Sequence, residues 1–332
     1  MLSAELTKYA EPKIYIIHEN DAWVVPLHAA LDELHLPYED IFVDTGLIDL
    51  TQAPPQGVFY NRMSASSHTR DHRYAIELTD VLLAWLEEHG RRIVNGRKSL
   101  ALERSKVAQY AALARFDIRT PATRAAVGDQ AVVAAAQTFR GPFVVKPNRG
   151  GKGLGVQLFR SADALVTALG AGTLPAPVDG VTLVQEYIQP PAPTITRMEF
   201  VGGDFLYAVN VDTSQGFELC PADACAPDAA ICAVAVAVEE APRPRFAIQP
   251  EFDHPLIEQC EAFLAAQDAQ IAGIEFIQDA SGRAFVYDVN FNTNYNPEAE
   301  AAAGEYGMKA IAAYLGEELS SVKRRSRLRA AR

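Results

Sequence analysis

The segment FVVKPNRGGKGLGVQLF, residues 143–159, joins two apolar, strand-like runs through a glycine-rich turn. A Rossmann fingerprint or a Walker loop needs a helix directly after the glycines, and a Walker loop also needs Ser or Thr after its lysine. Here Lys152 is followed by Gly153 and then by the second strand-like run. The segment therefore predicts a β-hairpin and excludes both of these phosphate-binding motifs.

The glycines of this hairpin leave its backbone N–H groups open to a ligand. Glycine has no Cβ, so phosphate oxygens can approach the backbone closely at Gly150, Gly151, Gly153 and Gly155. Lys146 at the strand end and Lys152 in the turn add positive charge. We therefore predict a phosphate-binding hairpin, and a surface hairpin with a glycine bulge is the alternative.

A second predicted hairpin, residues 273–292, carries oxygen ligands on one face. If Gln278 pairs with Arg283 across the turn, Glu275 lies opposite Val286. Because side chains alternate between the two faces of a strand, Glu275 then shares a face with Asp288 and Asn290. Carboxylate and amide oxygens suit Mg²⁺, which also bridges substrate phosphates. An exposed polar face is the alternative, but Asp288 and Asn290 interrupt an apolar run where strands favour Val or Thr.

The first hundred residues alternate strand-like and helical patterns, which predicts a small parallel α/β layer. The strand-like runs are at 14–18, 41–43, 58–60 and 91–95, and the helical patterns are at 21–34 and 74–90. Loops at the carboxyl ends of parallel strands bind ligands in open α/β sheets. The polar segment after the third strand therefore supplies candidate substrate residues, with a plain surface loop as the alternative: Arg62, Ser64, Ser67, His68 and Arg70.

The remainder of the chain is predicted to hold two helices and then mostly strands. The predicted helices are near 105–116 and 129–139, and the proline-rich stretches 190–193 and 242–250 are predicted loops. No internal repeat is evident.

A closing helix is predicted after the N-cap Asn296, with Pro297 at its first position. Its open N–H groups favour an anion, so one hypothesis places a substrate carboxylate beside Asn292, Asn294 and Tyr295. A capped helix with polar flanks is the alternative.

Composition excludes several classes of protein. The 332 residues are 49% hydrophobic, which suits a globular protein, and their net charge of -12 argues against general nucleic-acid binding. No apolar run reaches the roughly eighteen residues of a membrane helix and no secretory signal is evident, so we expect a cytoplasmic protein. The cysteines, which lack zinc-ligand spacing, are interpreted as free thiols: Cys220, Cys225, Cys232 and Cys260.

Six basic side chains close the sequence between Lys323 and Arg332. Such a terminus would contact an acidic partner or, as charged termini more often do, stay solvated.

The two hairpins, in this order and with VQEYI between them, resemble the ATP-grasp superfamily. The similarity is greatest to ribosomal-protein glutamate ligases and glutathione synthetase-like carboxylate–amine ligases. It covers roughly residues 95–315 through VNGRKSLALERSK, FVVKPNRGGKGLGV, VQEYI, ITRMEFVGGDFLYAV, GIEFI and VYDVNFN.

The resemblance implies a mixed α/β and α+β fold, in which a parallel α/β domain precedes a two-subdomain ATP-grasp fold. The expected divisions are a substrate domain at 1–96, a central subdomain at 97–190, a C-terminal subdomain with the metal site at 191–318, and a basic tail at 319–332.

The resemblance also implies roles for individual residues. The nucleotide would be held by Lys106, Lys146, Gly150, Gly151, Lys152, Gly153, Gly155, Gln185, Glu186, Tyr187 and Ile188. The metal ligands would be Glu275, Asp288 and Asn290, and Arg197 and Lys146 would be catalytic. Substrate contacts would come from Arg62, Ser67, His68, Asn292 and Asn294.

The implied activity is ATP-dependent amide-bond formation through an acyl phosphate, with Mg²⁺, or Mn²⁺, as cofactor. The substrates would be small carboxylates and amines of amino-acid type, and similar proteins are often homodimers. A small-molecule kinase and a non-catalytic ATP-binding subunit are the alternatives.

Two departures from the family pattern bear on this reading. Relatives place an acidic residue, a ribose contact, just before the arginine; Thr194–Thr196 stand there in this sequence, so the ribose contact is expected to differ. The loop 211–225 lacks the basic residues that glutamate-transferring relatives use nearby, so the acceptor is expected to differ from theirs.

Overall fold

The computed structural model describes residues 11–214, 216 and 244–330, which contain three β-sheets. The first is a parallel sheet in the order β2-β1-β3-β4. Its strands are β1 (Lys13–His18), β2 (Tyr38–Phe42), β3 (Gly57–Asn61) and β4 (Arg92–Val94), and its helices are α1 (Val25–Glu33) and α2 (Ala75–Glu88). The predicted parallel α/β layer is therefore confirmed. Its central strands are buried on both faces, as in parallel sheets generally.

The second sheet is antiparallel, in the order β5-β8-β6-β7. Its strands are β5 (Thr123–Ala126), β6 (Phe143–Pro147), β7 (Gln157–Phe159) and β8 (Thr182–Glu186). The helices of this region are α3 (Arg97–Glu103), α4 (Lys106–Leu113), α5 (Asp129–Ala136) and α6 (Ala162–Gly170). The glycine-rich hairpin is confirmed, because β6 and β7 pair on either side of the glycines.

Neither β5 nor α6 was predicted from the sequence. The strand β5 reads TRAA and is set by its pairing with β8 rather than by strand propensity. The helix α6 begins at a recognisable cap, because the Ser161 side chain accepts a hydrogen bond from the Ala164 N–H.

The third sheet is antiparallel, in the order β11-β10-β9-β12-β13. Its strands are β9 (Thr194–Val201), β10 (Asp204–Asp212), β11 (Phe246–Gln249), β12 (Ile271–Gln278) and β13 (Ala284–Asn290). The helices that follow β11 in the chain are α7 (Leu256–Ala266), α8 (Pro297–Ala303) and α9 (Gly307–Ala330). The prediction of a loop throughout 242–250 was wrong, because β11 lies between Pro244 and Pro250 and pairs with β10.

The predicted register of the second hairpin was also wrong. Phe276 lies opposite Val286, and a bulge then shifts the pairing so that Glu275 lies directly opposite Asp288. A bulge adds one residue to one strand, which the alternation of side chains in the sequence does not reveal. Glu275 and Asp288 still share one face, as predicted.

The C-terminal residues are not a separate tail. α8 ends after seven residues at Gly304, whose φ of 76° lies in the left-handed region, and α9 then runs from 307 to 330 through the predicted boundary at 319. Leu315, Leu319 and Val322 are buried in the core between this helix, α1 and the first sheet. Their burial holds α9 on the N-terminal layer.

Each of the other predicted divisions contains one sheet, and the boundaries near residues 96 and 190 stay a proposal. Cys260 is a buried free thiol, whereas Cys220, Cys225 and Cys232 lie outside the described residues. Among the described helices, none is long and apolar enough to cross a membrane.

Asn95 ties the first sheet to the third. Its amide N–H groups donate to the carbonyls of Ile271 and Phe291, at 2.8 and 3.0 Å, and its side-chain oxygen accepts from the backbone N–H groups of Gln270 and Ile271. Asn95 is fully buried, and its φ of 59° is one that Asn tolerates better than most residues.

We therefore expect Asn95→Ala to lower the free energy of unfolding by about 3 kcal/mol or more, since buried donors and acceptors would lose their partners. Urea unfolding would measure the effect. Asn20→Ala, which removes one exposed cap, is the control and should cost about 1 kcal/mol or less. Equal effects for the two substitutions would contradict this role for Asn95.

Candidate active site

A cavity of about 200 Å³ lies where the three sheets approach one another. The first sheet contributes the loop after β3, with Ser64 and Ser66, and the second contributes the glycine hairpin and the end of β8. The third sheet contributes β9, β12 and β13. Residues far apart in the sequence thus enclose one space.

The third sheet presents carboxylates and an arginine on the face toward the cavity. Glu275 pairs with Asp288 on one side and with Arg197 on the other, so these three side chains share a face, and Asn290 follows two residues along β13. Arg197 donates to Glu275 at 2.8 Å and also to Glu199. The structure therefore brings together the arginine and the three predicted metal ligands.

The donor set fits a divalent cation. Glu275 and Asp288 offer carboxylate oxygens and Asn290 an amide oxygen, the ligand types that Mg²⁺ accepts while it keeps several waters. Both carboxylates already pair with cationic side chains, Glu275 with Arg197 and Asp288 with Lys106. The position therefore stabilises positive charge.

Lys106 reaches this face from the first turn of α4. Its Nζ donates to Asp288 at 2.5 Å. Burial lowers the pKa of Lys106, but Asp288, together with Tyr110 and Glu103, outweighs burial, so the pKa lies above its ordinary value. The Gln109 side chain exchanges two hydrogen bonds with the backbone of Val289, at 2.7 and 3.1 Å, and so fixes α4 against β13.

Lys146 lies at the end of β6, between the rings of Tyr110 and Tyr287, with its Nζ 5.6 and 5.7 Å from their centroids. Burial, and next the charge of Lys106, lower its pKa to about 7. Protonation of Lys146 is costly in the protein without a ligand. A bound anion would stabilise the protonated form, so this position favours an anionic ligand.

The glycine hairpin covers one side of the cavity. Lys152, Gly153 and Gly155 have φ values of 60°, 73° and 74°, in the left-handed region. Four predicted loop residues line the cavity, namely Gly150, Gly151, Lys152 and Gly153, and Gly155 does not. Backbone of this kind leaves N–H groups available to an anion.

Trp23, which the sequence did not single out, connects this hairpin to the first sheet. The Lys152 Nζ lies 4.4 Å from the centroid of the indole ring, and the Arg70 guanidinium lies 4.6 Å from it. Both geometries are those of cation–π contacts. Trp23 therefore holds the glycine hairpin beside the N-terminal layer.

The end of β8 and the residues after it form another wall. Four predicted nucleotide-binding residues line the cavity there: Gln185, Glu186, Tyr187 and Ile188. The Gln185 amide donates to the Tyr110 hydroxyl and to Thr123 Oγ1, at 2.9 and 2.8 Å, so the neighbouring strand β5 helps to position it.

Arg62 meets the segment after β13. It donates to the side-chain oxygens of Asn292 and Asn294, at 3.2 and 3.0 Å, and to the carbonyl of Thr293 at 2.8 Å. Asn292 and Asn294 line the cavity, whereas Arg62 is 1% exposed and lies behind them. Hydrogen bonds thus join three of the predicted substrate residues, Arg62, Asn292 and Asn294.

The expectation that Ser67 and His68 line the site is not met. Ser67 begins a 3₁₀ turn and is fully buried, and His68 lies within that turn, where burial and next Arg149 lower its pKa. Neither lines the cavity, because the turn places Ser64 and Ser66 there instead.

The hypothesis of a substrate carboxylate beside Asn292 and Asn294 stays a prediction, and the helix after Asn296 would contribute little to it. The predicted cap is present, because the Asn296 side chain accepts a hydrogen bond from the Ala299 N–H. The helix is only seven residues long, so it offers little dipole to an anion.

Two further residues were missed from the sequence. Glu103 is buried, its carboxylate accepts from the N–H groups of Ala65 and Phe291 at 3.1 and 2.8 Å, and burial raises its pKa to about 7. Gly273 lies under the Arg197 side chain, and a Cβ there would lie 2.1 Å from Nη2. The only sequence signal was a glycine within the strand GIEFI, which indicates close approach by another group.

Residues 103–217 match the model of the RimK-like ATP-grasp domain. An ATP-grasp protein with a RimK domain from Sphaerobacter thermophilus has a similar structure, with 18% identity and a TM-score of 0.59 over 91% of this chain and 99% of that one. This chain has the ATP-grasp fold. The resemblance inferred from the two hairpins is therefore confirmed.

Two more similar structures are of enzymes. The ATP-grasp ligase PsnB, complexed with a precursor variant, Mg and ADP, shares 15% identity and a TM-score of 0.60 over 92% of this chain and 97% of that one. D-cycloserine synthetase DcsG shares 17% identity and a TM-score of 0.61 over 92% and 99%. No curated protein matches the sequence significantly.

Beside this cavity we expect Gly273→Ala to lower the free energy of unfolding by about 3 kcal/mol. The new methyl group would force Arg197 away from its two carboxylates. Thermal and urea unfolding would measure the loss. Gly141→Ala, which adds a methyl group where no atom lies within 4 Å, is the matched control and should change stability by less than about 0.5 kcal/mol.

Proposed function

We propose that this protein is an ATP-dependent carboxylate–amine ligase. One observation carries the proposal: Lys106, Lys146 and Arg197 converge with Glu275 and Asp288 on one cavity beside the glycine hairpin. Three cations and two carboxylates suit a metal-bound polyphosphate, because they offset its charge and hold its counterion. The ligase PsnB, whose structure contains Mg and ADP, has the same fold.

The adenine and the phosphates of ATP would each have contacts in the cavity. The segment from Gln185 to Ile188 would contact adenine, and the N–H groups of the glycine hairpin would contact the phosphates. Glu275, Asp288 and Asn290 would hold Mg²⁺, which would neutralise charge on the phosphate oxygens. Mn²⁺ also prefers oxygen ligands, so the same residues would suit it.

The protein's own groups act mainly by charge and position. Attack of a carboxylate oxygen on the γ-phosphorus breaks the bond to ADP and brings anions together, so Lys146 and Arg197 would stabilise the transition state. The acyl phosphate is easily hydrolysed, so the glycine hairpin, held at Trp23, would exclude water. Attack by an amine then expels phosphate and forms the amide. No protein nucleophile takes part.

Substrate would enter beside Asn292 and Asn294, which line the cavity in front of the buried Arg62. An acid and an amine of amino-acid type fit these polar groups. D-cycloserine synthetase, which has the same fold, is a synthetase by name.

The proposal is tested by ADP and phosphate release with ATP and Mg²⁺ across amino acids, offered singly and in pairs, with mass spectrometry of the products. A ligase releases ADP and phosphate only with both partners, and its product is one water lighter than their sum. A product heavier by one phosphoryl group, formed with a single partner, would instead identify a kinase.

Once a substrate pair is found, Asp288→Asn and Lys146→Ala should each lower turnover by about 100-fold or more, because each removes a charge that faces the phosphates. Asp163→Asn, at an exposed position of α6, is the matched control and should leave turnover unchanged. Circular dichroism and unfolding curves would show that the variants fold. Near wild-type rates in Asp288→Asn or Lys146→Ala would overturn the site assignment.

A further inference from the structure

A second cavity, of about 300 Å³, adjoins the first. It lies between α1 and the segment that runs from Asn294 into the start of α9. Trp23 and Asn294 line both cavities, so the two spaces share a wall. The two cavities are therefore neighbours on either side of these two residues.

The walls of the second cavity are mostly apolar. Trp23, Ala29, Ala30, Tyr295 and Met308 contribute carbon surface, and its size is at the lower end of small-ligand pockets. A cavity of this composition favours an apolar group because that group leaves water on binding.

The charged groups of this cavity are already paired or held. Lys309 and Glu33 form an ion pair at 2.9 Å. The Glu300 carboxylate accepts from the Tyr207 hydroxyl and the Gly307 N–H, at 2.9 and 2.6 Å, and burial raises its pKa. The ion pair leaves little charge for a ligand to neutralise, and the Glu300 carboxylate, held by two neutral donors, is the group that a cationic side chain would approach.

A buried positive charge lies behind the shared wall. Arg62 is 1% exposed, and its hydrogen-bond partners among the described residues are neutral: Asn292, Thr293, Asn294 and the Met308 sulfur. A buried charge without a counterion is costly, and a nearby anionic ligand would offset the cost.

The contacts of Arg62 also orient the two asparagines. Arg62 occupies the side-chain oxygens of Asn292 and Asn294, so their amide N–H groups are the donors left for a ligand in the first cavity. Amide donors backed by a guanidinium suit a carboxylate. The junction of the two cavities thus combines a carboxylate site with an apolar pocket.

We propose that the second cavity takes the large apolar side chain of an amino-acid substrate whose carboxylate lies at Asn292 and Asn294. The inference deepens the proposed ligase function and rests on it. It predicts selection for leucine-like and phenylalanine-like substrates, and against small or charged side chains.

Binding is tested first without turnover, by calorimetry with a non-hydrolysable ATP analogue and Mg²⁺ present. L-leucine or L-phenylalanine should bind saturably, while L-alanine, L-aspartate, L-lysine and L-leucinamide should bind at least about tenfold more weakly. Stronger binding of L-lysine would show that Glu300 reads a positive charge, and equal binding of L-leucinamide would remove the carboxylate site. No binding of either apolar amino acid would overturn the proposal.

The location is tested by filling the pocket. Ala29 is solvent-exposed on α1 and lines the second cavity, so Ala29→Leu adds bulk there without disturbing the core. It should weaken L-leucine binding by about tenfold or more, whereas Ala134→Leu, at an exposed position of α5, should not. Unchanged binding in Ala29→Leu would place the side chain elsewhere.

A fluorescent readout comes from the chain itself, which contains two tryptophans. Trp85→Phe leaves Trp23 as the only indole, and its emission should change on L-leucine binding. If Trp85→Phe does not fold, calorimetry on wild type and Ala29→Leu still decides.

The amide-forming assay separates the two proposals. Amide formation that Ala29→Leu leaves unchanged would keep the ligase function and remove the subsite. Saturable L-leucine binding without amide formation by any pair would keep the subsite and remove the ligase function.

Discussion

The pairing of two carboxylates with two cations in one cavity is the constraint on which the rest of the site depends. Glu275 binds Arg197 and Asp288 binds Lys106, and each partner comes from a different part of the chain. Burial of charges is costly unless the partners are held in place. The register of β9, β12 and β13 and the clamp from Gln109 to Val289 meet this requirement. A bulge that shifts the pairing of β12 and β13 sets Glu275 opposite Asp288.

The first sheet lies outside residues 103–217, which match the ATP-grasp domain, but it also helps to position the site. Asn95 fixes the end of β4 to the third sheet, and Glu103 joins the loop after β3 to the end of β13. Arg62 then reaches the segment after β13. These contacts join distant parts of the chain. The position of Arg62 against the segment after β13 therefore depends on how α9 packs the N-terminal layer against the third sheet.

Local sequence patterns predicted the elements that have a strong pattern of apolar residues or a clear turn sequence. The apolar runs of β1 and β3 and the glycine hairpin after Lys146 belong to this group. The order of the motifs also predicted which residues meet at the main cavity, from Lys106 to Asn290. Their catalytic and ligand roles stay predictions.

What the sequence could not predict depends on pairing and packing over long distances. The bulge that sets Glu275 opposite Asp288 leaves no periodic signal, and the second cavity forms only when α1 meets the start of α9. Trp23 follows two exposed residues, Asp21 and Ala22, in a 3₁₀ turn, so its contact with Lys152 needed the folded chain. Charged residues near the C-terminus read as a solvated tail, because the burial of Leu319 and Val322 is a tertiary effect.

The most direct test of the central claim, that the convergent charges bind a metal–nucleotide complex, is calorimetric titration of the protein with ATP. Saturable binding of one ATP per chain is predicted, stronger with Mg²⁺ than without it and lost in the double variant Lys106→Met, Lys146→Met. Absence of saturable binding in the folded wild-type protein, or binding that the double variant leaves unchanged, would contradict it.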